Sequence, residues 1–199
     1  METIIKEGYA KILALFYLDK TTSIHLREIA RKAKLNENSA SKFLNKLEQM
    51  HYLNAKKEGN LKKYTLNYNK NTYNYLALQD LNKLEKLPNL RKEAIKVYLQ
   101  KLPEQPVFAI LFGSTAKENY REDSDIDILI ITNKKISSTE AEKEVDALCA
   151  LKMNSFQMTF KDFQNEIKLK EDKVVQSALQ TGYPLINHIS FYEVLYERI

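Results

Sequence analysis

The sequence predicts an α+β fold in two parts, and three observations carry that expectation. Apolar residues recur at helical spacing up to Met50, a lysine-rich hairpin pattern follows, and two unbroken apolar runs beyond residue 105 read as strands covered on both faces. The expected division is residues 1–67, a helical connection over 68–104, and a second domain over 105–199.

The first part is read element by element. Ile4, Ile5, Ala10, Ile12, Leu13, Phe16 and Tyr17 suit one amphipathic helix. Thr21-Thr22-Ser23 offers N-cap hydroxyls for a second helix with Leu26, Ile29, Ala30 and Ala33 inward. Asn36 is placed to cap a third helix whose buried stripe would be Ala40, Phe43, Leu44, Leu47 and Met50. Its other face carries Glu37, Asn38, Ser39, Ser41, Lys42 and Asn45. Tyr52-Leu53-Asn54-Ala55-Lys56-Lys57, the turn Glu58-Gly59-Asn60, and Leu61-Lys62-Lys63-Tyr64-Thr65-Leu66 then read as a hairpin.

On those residues the segment 1–67 resembles the winged helix-turn-helix domains of small prokaryotic transcription regulators. The resemblance implies double-stranded DNA as a partner. The third helix would enter a major groove about 12 Å wide, where Asn38, Ser39, Ser41, Lys42 and Asn45 reach base edges. Lys56, Lys57, Lys62 and Lys63 would meet backbone phosphates. Such modules also serve as protein-contact scaffolds, and the third helix has Lys42 and Lys46 as cations but no arginine, so that alternative stays open. Groove geometry favours a homodimer. The stripe Tyr75, Leu76, Ala77, Leu78, Leu81, Leu84 is either its contact or simple packing between the domains.

Charge supports unequal roles. Residues 1–105 carry a net +9 and residues 106–199 a net −4, which points to an anion-seeking first half. No apolar run approaches the roughly 20 residues that span a bilayer. Acids among the first residues argue against a signal peptide, so a cytoplasmic location is expected. Cys149 lies in a helical pattern and reads as a buried small hydrophobe. His25, His51 and His188 lack metal-ligand spacing.

Asn67 to Asn74 is rich in turn formers and marks the end of the first part; Leu87-Pro88-Asn89 and Leu102-Pro103 bound a helix through Ile95, Val97, Tyr98 and Leu99. Val107-Phe108-Ala109-Ile110-Leu111-Phe112 is the first buried strand, and Gly113-Ser114-Thr115-Ala116 turns into a short helix. After Asp123-Ser124 comes Asp125-Ile126-Asp127-Ile128-Leu129-Ile130-Ile131. In a strand, positions i and i+2 share a face at about 6.7 Å, so Asp125 and Asp127 stand together while Ile126 and Ile128 enter the core. Paired carboxylates call for a cation, and hard oxygens suit Mg²⁺ carrying substrate phosphates. Gly113 permits close approach, and Ser114 with the following amides can hold triphosphate oxygens.

Gly-Ser followed at this spacing by Asp-x-Asp resembles the DNA polymerase β-type nucleotidyltransferase superfamily, particularly its minimal members, over roughly residues 105–188. The resemblance implies a mixed sheet with flanking helices and Mg²⁺-dependent transfer of a nucleoside monophosphate from an NTP. Asp125 and Asp127 would be catalytic and metal-binding; Gly113 and Ser114 would bind nucleotide. Active members usually add a third carboxylate from a later strand. Here the helix Thr139–Ala150, with Ser137 as cap and Glu140 following, leads to Asn154-Ser155-Phe156-Gln157-Met158-Thr159-Phe160. Phe156, Met158 and Phe160 form one face, so the acid is expected on the other, where Gln157 stands. Lys117-Glu118-Asn119 also departs from the Arg-Gly-Glu of related minimal enzymes. Turnover is therefore left open. The expected function is NTP–Mg²⁺ binding with transfer to an acceptor, or a DNA-binding regulator that senses nucleotide, or an antitoxin-type modifier of a partner protein. Val174, Val175, Ala178 and Leu179 read as a helix ended by Gly182, before an edge strand at Tyr183-Pro184-Leu185-Ile186.

Overall fold

Helix α1 occupies Glu7–Leu18 in the computed structural model, which describes residues 7–196. Its buried residues Ile12, Leu13, Phe16 and Tyr17 belong to the predicted stripe, of which Ala10 is half-buried; Ile4 and Ile5 lie outside the described residues. The chain divides into two units, Met1–Leu76 and Ala77–Ile199.

In the first unit the expected cap at Thr21-Thr22-Ser23 does not form. Asp19 instead takes the Thr21 amide (3.0 Å) and hydroxyl (2.8 Å) into a turn. Ile24–His25 then form a two-residue strand β1, and α2 (Leu26–Lys32) starts from His25 with no side-chain cap. Burying Ile24 and pairing it with Tyr64 on a later strand outweighs what a hydroxyl cap would contribute. Helix α3 (Glu37–Gln49) is capped as expected, Asn36 Oδ1 accepting the Ser39 N–H at 2.8 Å. Ala40, Leu44 and Leu47 are buried, whereas Met50 lies past the helix end and is exposed. Phe43 is half-buried, edge-on to Tyr9 at 4.9 Å and filling the space beside Gly8. Strands β2 (Leu53–Glu58) and β3 (Leu61–Leu66) pair along their whole length across Gly59-Asn60, and β1 joins the free side of β3.

Helix α4 (Lys70–Lys86) crosses the division at Leu76. Of its apolar stripe, Tyr75 and Leu76 are buried within this single chain, while Leu81 is exposed. Pro88 precedes α5 (Asn89–Lys101), whose Ala94, Ile95, Val97 and Tyr98 enter the core of the second unit. That unit continues as β4 (Phe108–Phe112), α6 (Gly113–Ala116), β5 (Ile126–Thr132), α7 (Thr139–Cys149) and β6 (Met153–Thr159). It closes with α8 (Phe160–Leu169), α9 (Lys173–Thr181), β7 (Tyr183–Pro184) and α10 (His188–Tyr196). Helix α7 lacks the expected Ser137–Glu140 capping box: Ser138 is its N-cap, without a side-chain cap bond, and its hydroxyl reaches Glu142 at 2.8 Å. Cys149 is buried, and burial raises its thiol pKa.

The sheet is mixed, in the order β6-β5-β4-β7, with β4 antiparallel to both neighbours and β5 parallel to β6. Alternation gives the two faces different partners. Ala109, Leu111, Ile126, Ile128 and Ile130 share a core with α5 and α7. On the other face Phe108 meets Phe160, Phe163 and Phe191 edge-on. Both faces being covered explains the unbroken apolar runs. Among the described residues, no helix is long and apolar enough to cross a membrane.

Candidate functional site

The register between β4 and β5 places Phe112 opposite Asp127, so the Gly-Ser turn and the acidic start of β5 meet at one end of the sheet. Asp125 is the residue before β5 and Asp127 its second residue. Gly113 adopts φ +70°, and a Cβ there would collide with the Asp127 carboxylate, lying 3.0 Å from its Cγ. Glycine is needed twice over, for its backbone conformation and for the close approach. Ser114 follows at the start of α6, partly exposed, with its carbonyl accepting from the Asn119 N–H at 3.2 Å.

The residue that joins the two carboxylates is one the sequence reading assigned to no role. Asn154 on β6 is paired with Asp127 in the parallel register, and its Nδ2 donates to Asp125 Oδ2 and Asp127 Oδ1, each at 3.1 Å. Gln157, the expected occupant of this place, is three residues further along β6, opposite Ile130. With its amide turned to satisfy both ends, it donates to the Ile136 carbonyl and accepts from Thr132 Oγ1 and the Ile136 N–H, all at 2.9 Å. The expectation failed because it took the side of Phe156 and Met158 as inward-only. That face also carries Asn154, and Phe156 is 38% exposed, leaning edge-on against Phe112 at 5.6 Å. Among the described residues no group of three or more His, Cys, Asp and Glu side chains is placed to hold a metal ion. The acidic set at this site is Asp125 and Asp127, with a neutral amide as third member.

A second group missed in the sequence is Arg91 on α5, only 3% exposed. Its Nη1 donates to Thr115 Oγ1 (2.9 Å), and its Nη2 to the carbonyls of Arg121 (2.9 Å), Ser124 (2.9 Å) and Glu122 (3.4 Å). The guanidinium lies 4.0 Å from the Tyr120 ring centroid, and burial lowers its pKa. An isolated arginine in a helix carries no sequence signal of such a role. Glu118 holds φ +58°, a left-handed backbone that ordinarily favours glycine.

In the first unit, Asn38, Lys42 and Asn45 are exposed on one stripe of α3, with Ser39 and Ser41 half-buried beside them. The hairpin register sets Lys56 opposite Lys63 and Lys57 opposite Lys62, which places the four lysines on two faces rather than one. Lys62 bonds Glu48 of α3 at 2.7 Å, which raises its pKa, and Lys63 pairs with Glu58. Among the described residues, Lys56 and Lys57 are exposed and outside any ion pair.

Residues 93–188 match the family model described as Polymerase beta, Nucleotidyltransferase. The match begins inside α5 and includes Gly113, Ser114, Asp125, Asp127 and Asn154. It supports a nucleotidyltransferase domain in the second unit and, in general terms, nucleotidyl transfer as its chemistry. No curated protein matches the chain.

Proposed function

We propose that the second unit binds a nucleoside triphosphate with Mg²⁺ and passes its nucleoside monophosphate to an acceptor, while the first unit is a winged helix-turn-helix that holds duplex DNA. The observation that carries the nucleotide reading is the convergence of Asp125 and Asp127 on one nitrogen of Asn154, beside the close approach at Gly113. Two carboxylates meeting at one point offer the hard oxygens that suit Mg²⁺, an ion that keeps waters and takes phosphate oxygens for the rest of its shell. The chemistry it would supply there is neutralisation of phosphate charge. Asp125 and Asp127 hold it, Gly113 lets the triphosphate approach the backbone, and Ser114 donates to a phosphate oxygen.

Asn154 favours a second reading, in which the unit senses nucleotide without turnover. An amide neither takes a proton from an acceptor hydroxyl nor neutralises charge as a carboxylate does. Labelled NTPs with Mg²⁺, given to wild type and to Asp127→Ala, separate the two. Label moved to protein, nucleic acid or a small acceptor by wild type alone supports transfer. NTP binding without any transfer leaves the sensor reading, and no NTP binding at all overturns both.

For the first unit, the exposed stripe Asn38, Lys42, Asn45 supports major-groove contact, and Lys56 and Lys57 support phosphate contact. A homodimer, which groove spacing favours, would need a surface other than the buried part of the α4 stripe. Absence of duplex retardation even at low salt overturns the DNA reading.

A further inference from the structure

Arg91 is a buried cation whose guanidinium meets carbonyls, a hydroxyl and an aromatic face, with no carboxylate in ion-pair reach among the described residues. Leaving a charge so placed is costly unless every N–H is used, so the arrangement calls for a reason beyond packing. The partners supply one. Thr115, fully buried, is the third residue of α6, the helix opened by Gly113 and Ser114. Ser124 contributes the carbonyl of the peptide that leads into Asp125, and Arg121 closes the same turn, its carbonyl also accepting the Ser124 N–H at 3.1 Å. The Arg121 N–H in turn donates to Ser124 Oγ at 2.9 Å. One side chain therefore ties the Gly-Ser turn to the approach of the first carboxylate.

We propose that Arg91 is the positioning residue of the nucleotide site, setting the separation between the Gly113-Ser114 turn and Asp125 through its two-ended fork. The inference rests on the nucleotide reading given above. A guanidinium is required because its donors leave in two fixed directions, one toward Thr115 and one toward the 121–124 turn. The ammonium of a lysine offers a single point charge and can serve one end at a time. Arg91 touches neither carboxylate, so it acts on their placement and not on the reacting groups.

The test uses the full chain as wild type, Arg91→Lys and Thr115→Val, the last removing one end of the fork with little change of volume. Two readouts are taken: exchange of the Asn119, Arg121, Ser124 and Ile126 amides in the free protein, and binding of each of the four common NTPs across a Mg²⁺ titration. Arg91→Lys is expected to speed exchange at those amides about tenfold while the β5 amides from Ile128 to Ile131 keep their protection. NTP affinity is expected to fall about tenfold, with half-saturation moved to higher Mg²⁺. A residue that only fills the core would loosen β4 and β5 together and leave the Mg²⁺ dependence where it was; that result overturns the proposal. Wild-type affinity retained by Arg91→Lys overturns it as well. If wild type binds no NTP, the nucleotide reading fails separately, and the local exchange alone decides whether the fork sets the loop. Should Arg91→Lys fail to fold, Thr115→Val decides: faster loop exchange supports the fork, and unchanged exchange overturns it.

Discussion

The Asp127 carboxylate fills the place where a side chain on Gly113 would begin. Gly113→Ala must therefore either displace the carboxylate or leave φ +70°, where an L-residue loses about 1–2 kcal/mol. The expected outcome is a loss of that order in urea unfolding, together with at least tenfold weaker NTP binding by calorimetry. Full binding by this variant would mean that the turn does not face the nucleotide.

Asn154→Asp would set a third carboxylate within hydrogen-bond distance of Asp125 and Asp127. Without metal, like charges so close destabilise the fold, and thermal unfolding should occur several degrees lower. Mg²⁺ should restore the loss and shift the variant further than wild type, because binding to the folded state alone adds stability. Equal Mg²⁺ shifts in the two proteins would show that the three side chains do not share an ion.

Glu118 pays for a left-handed backbone with φ +58°. Glu118→Gly relieves that strain and is expected to stabilise the second unit by about 1 kcal/mol, read as a higher denaturant midpoint at unchanged slope.

Burial pushes the Tyr98 hydroxyl up to about 12. The unfolded chain ionises this group near the ordinary value of about 10, so the folded state keeps the proton over that interval. Its contribution is whole below pH 10 and is lost as pH rises toward 12. Tyr98→Phe should flatten the alkaline limb of the stability profile, measured by urea midpoints from neutral pH upward. The paired Lys62 titrates with the same sign, so some decline should remain.

Lys56 and Lys57 are free of ion pairs among the described residues, whereas Lys62 and Lys63 are each held by a glutamate. Each phosphate contact contributes about 0.9 to the slope of log affinity against log salt. Lys56→Ala/Lys57→Ala is expected to lower that slope by about 2, and Lys62→Ala/Lys63→Ala by less. Equal slopes in the two variants would show that the glutamate pairs open on contact with DNA.

The legible parts were those in which neighbouring residues settle the matter. Gly113-Ser114, the acidic start of β5 and the Asn36 cap all follow from spacing within one turn or strand. Asn154 was missed because it acts across a parallel pairing formed after the α7 crossover, a register that no local pattern carries. An edge strand with aromatic and polar residues on the same face also defeats a two-residue alternation. Thr21-Thr22-Ser23 misled because the competing partner, Tyr64 on β3, is distant in sequence. Arg91 gave no sign, since an arginine between Leu90 and Lys92 in a helix looks like any solvated side chain.

The antiparallel register that brings Phe112 opposite Asp127 also sends the far end of β5 away from that rim, with Phe108 opposite Ile131. Thr132 lies five positions beyond Asp127 on the strand, a span of roughly 17 Å at extended spacing. The segment between Asn133 and Lys135 thus emerges where nothing proposed for catalysis or nucleotide binding resides. A fluorophore or a spliced peptide carried there would report on the molecule, or tether it to a surface, while leaving Asp125 and Asp127 untouched.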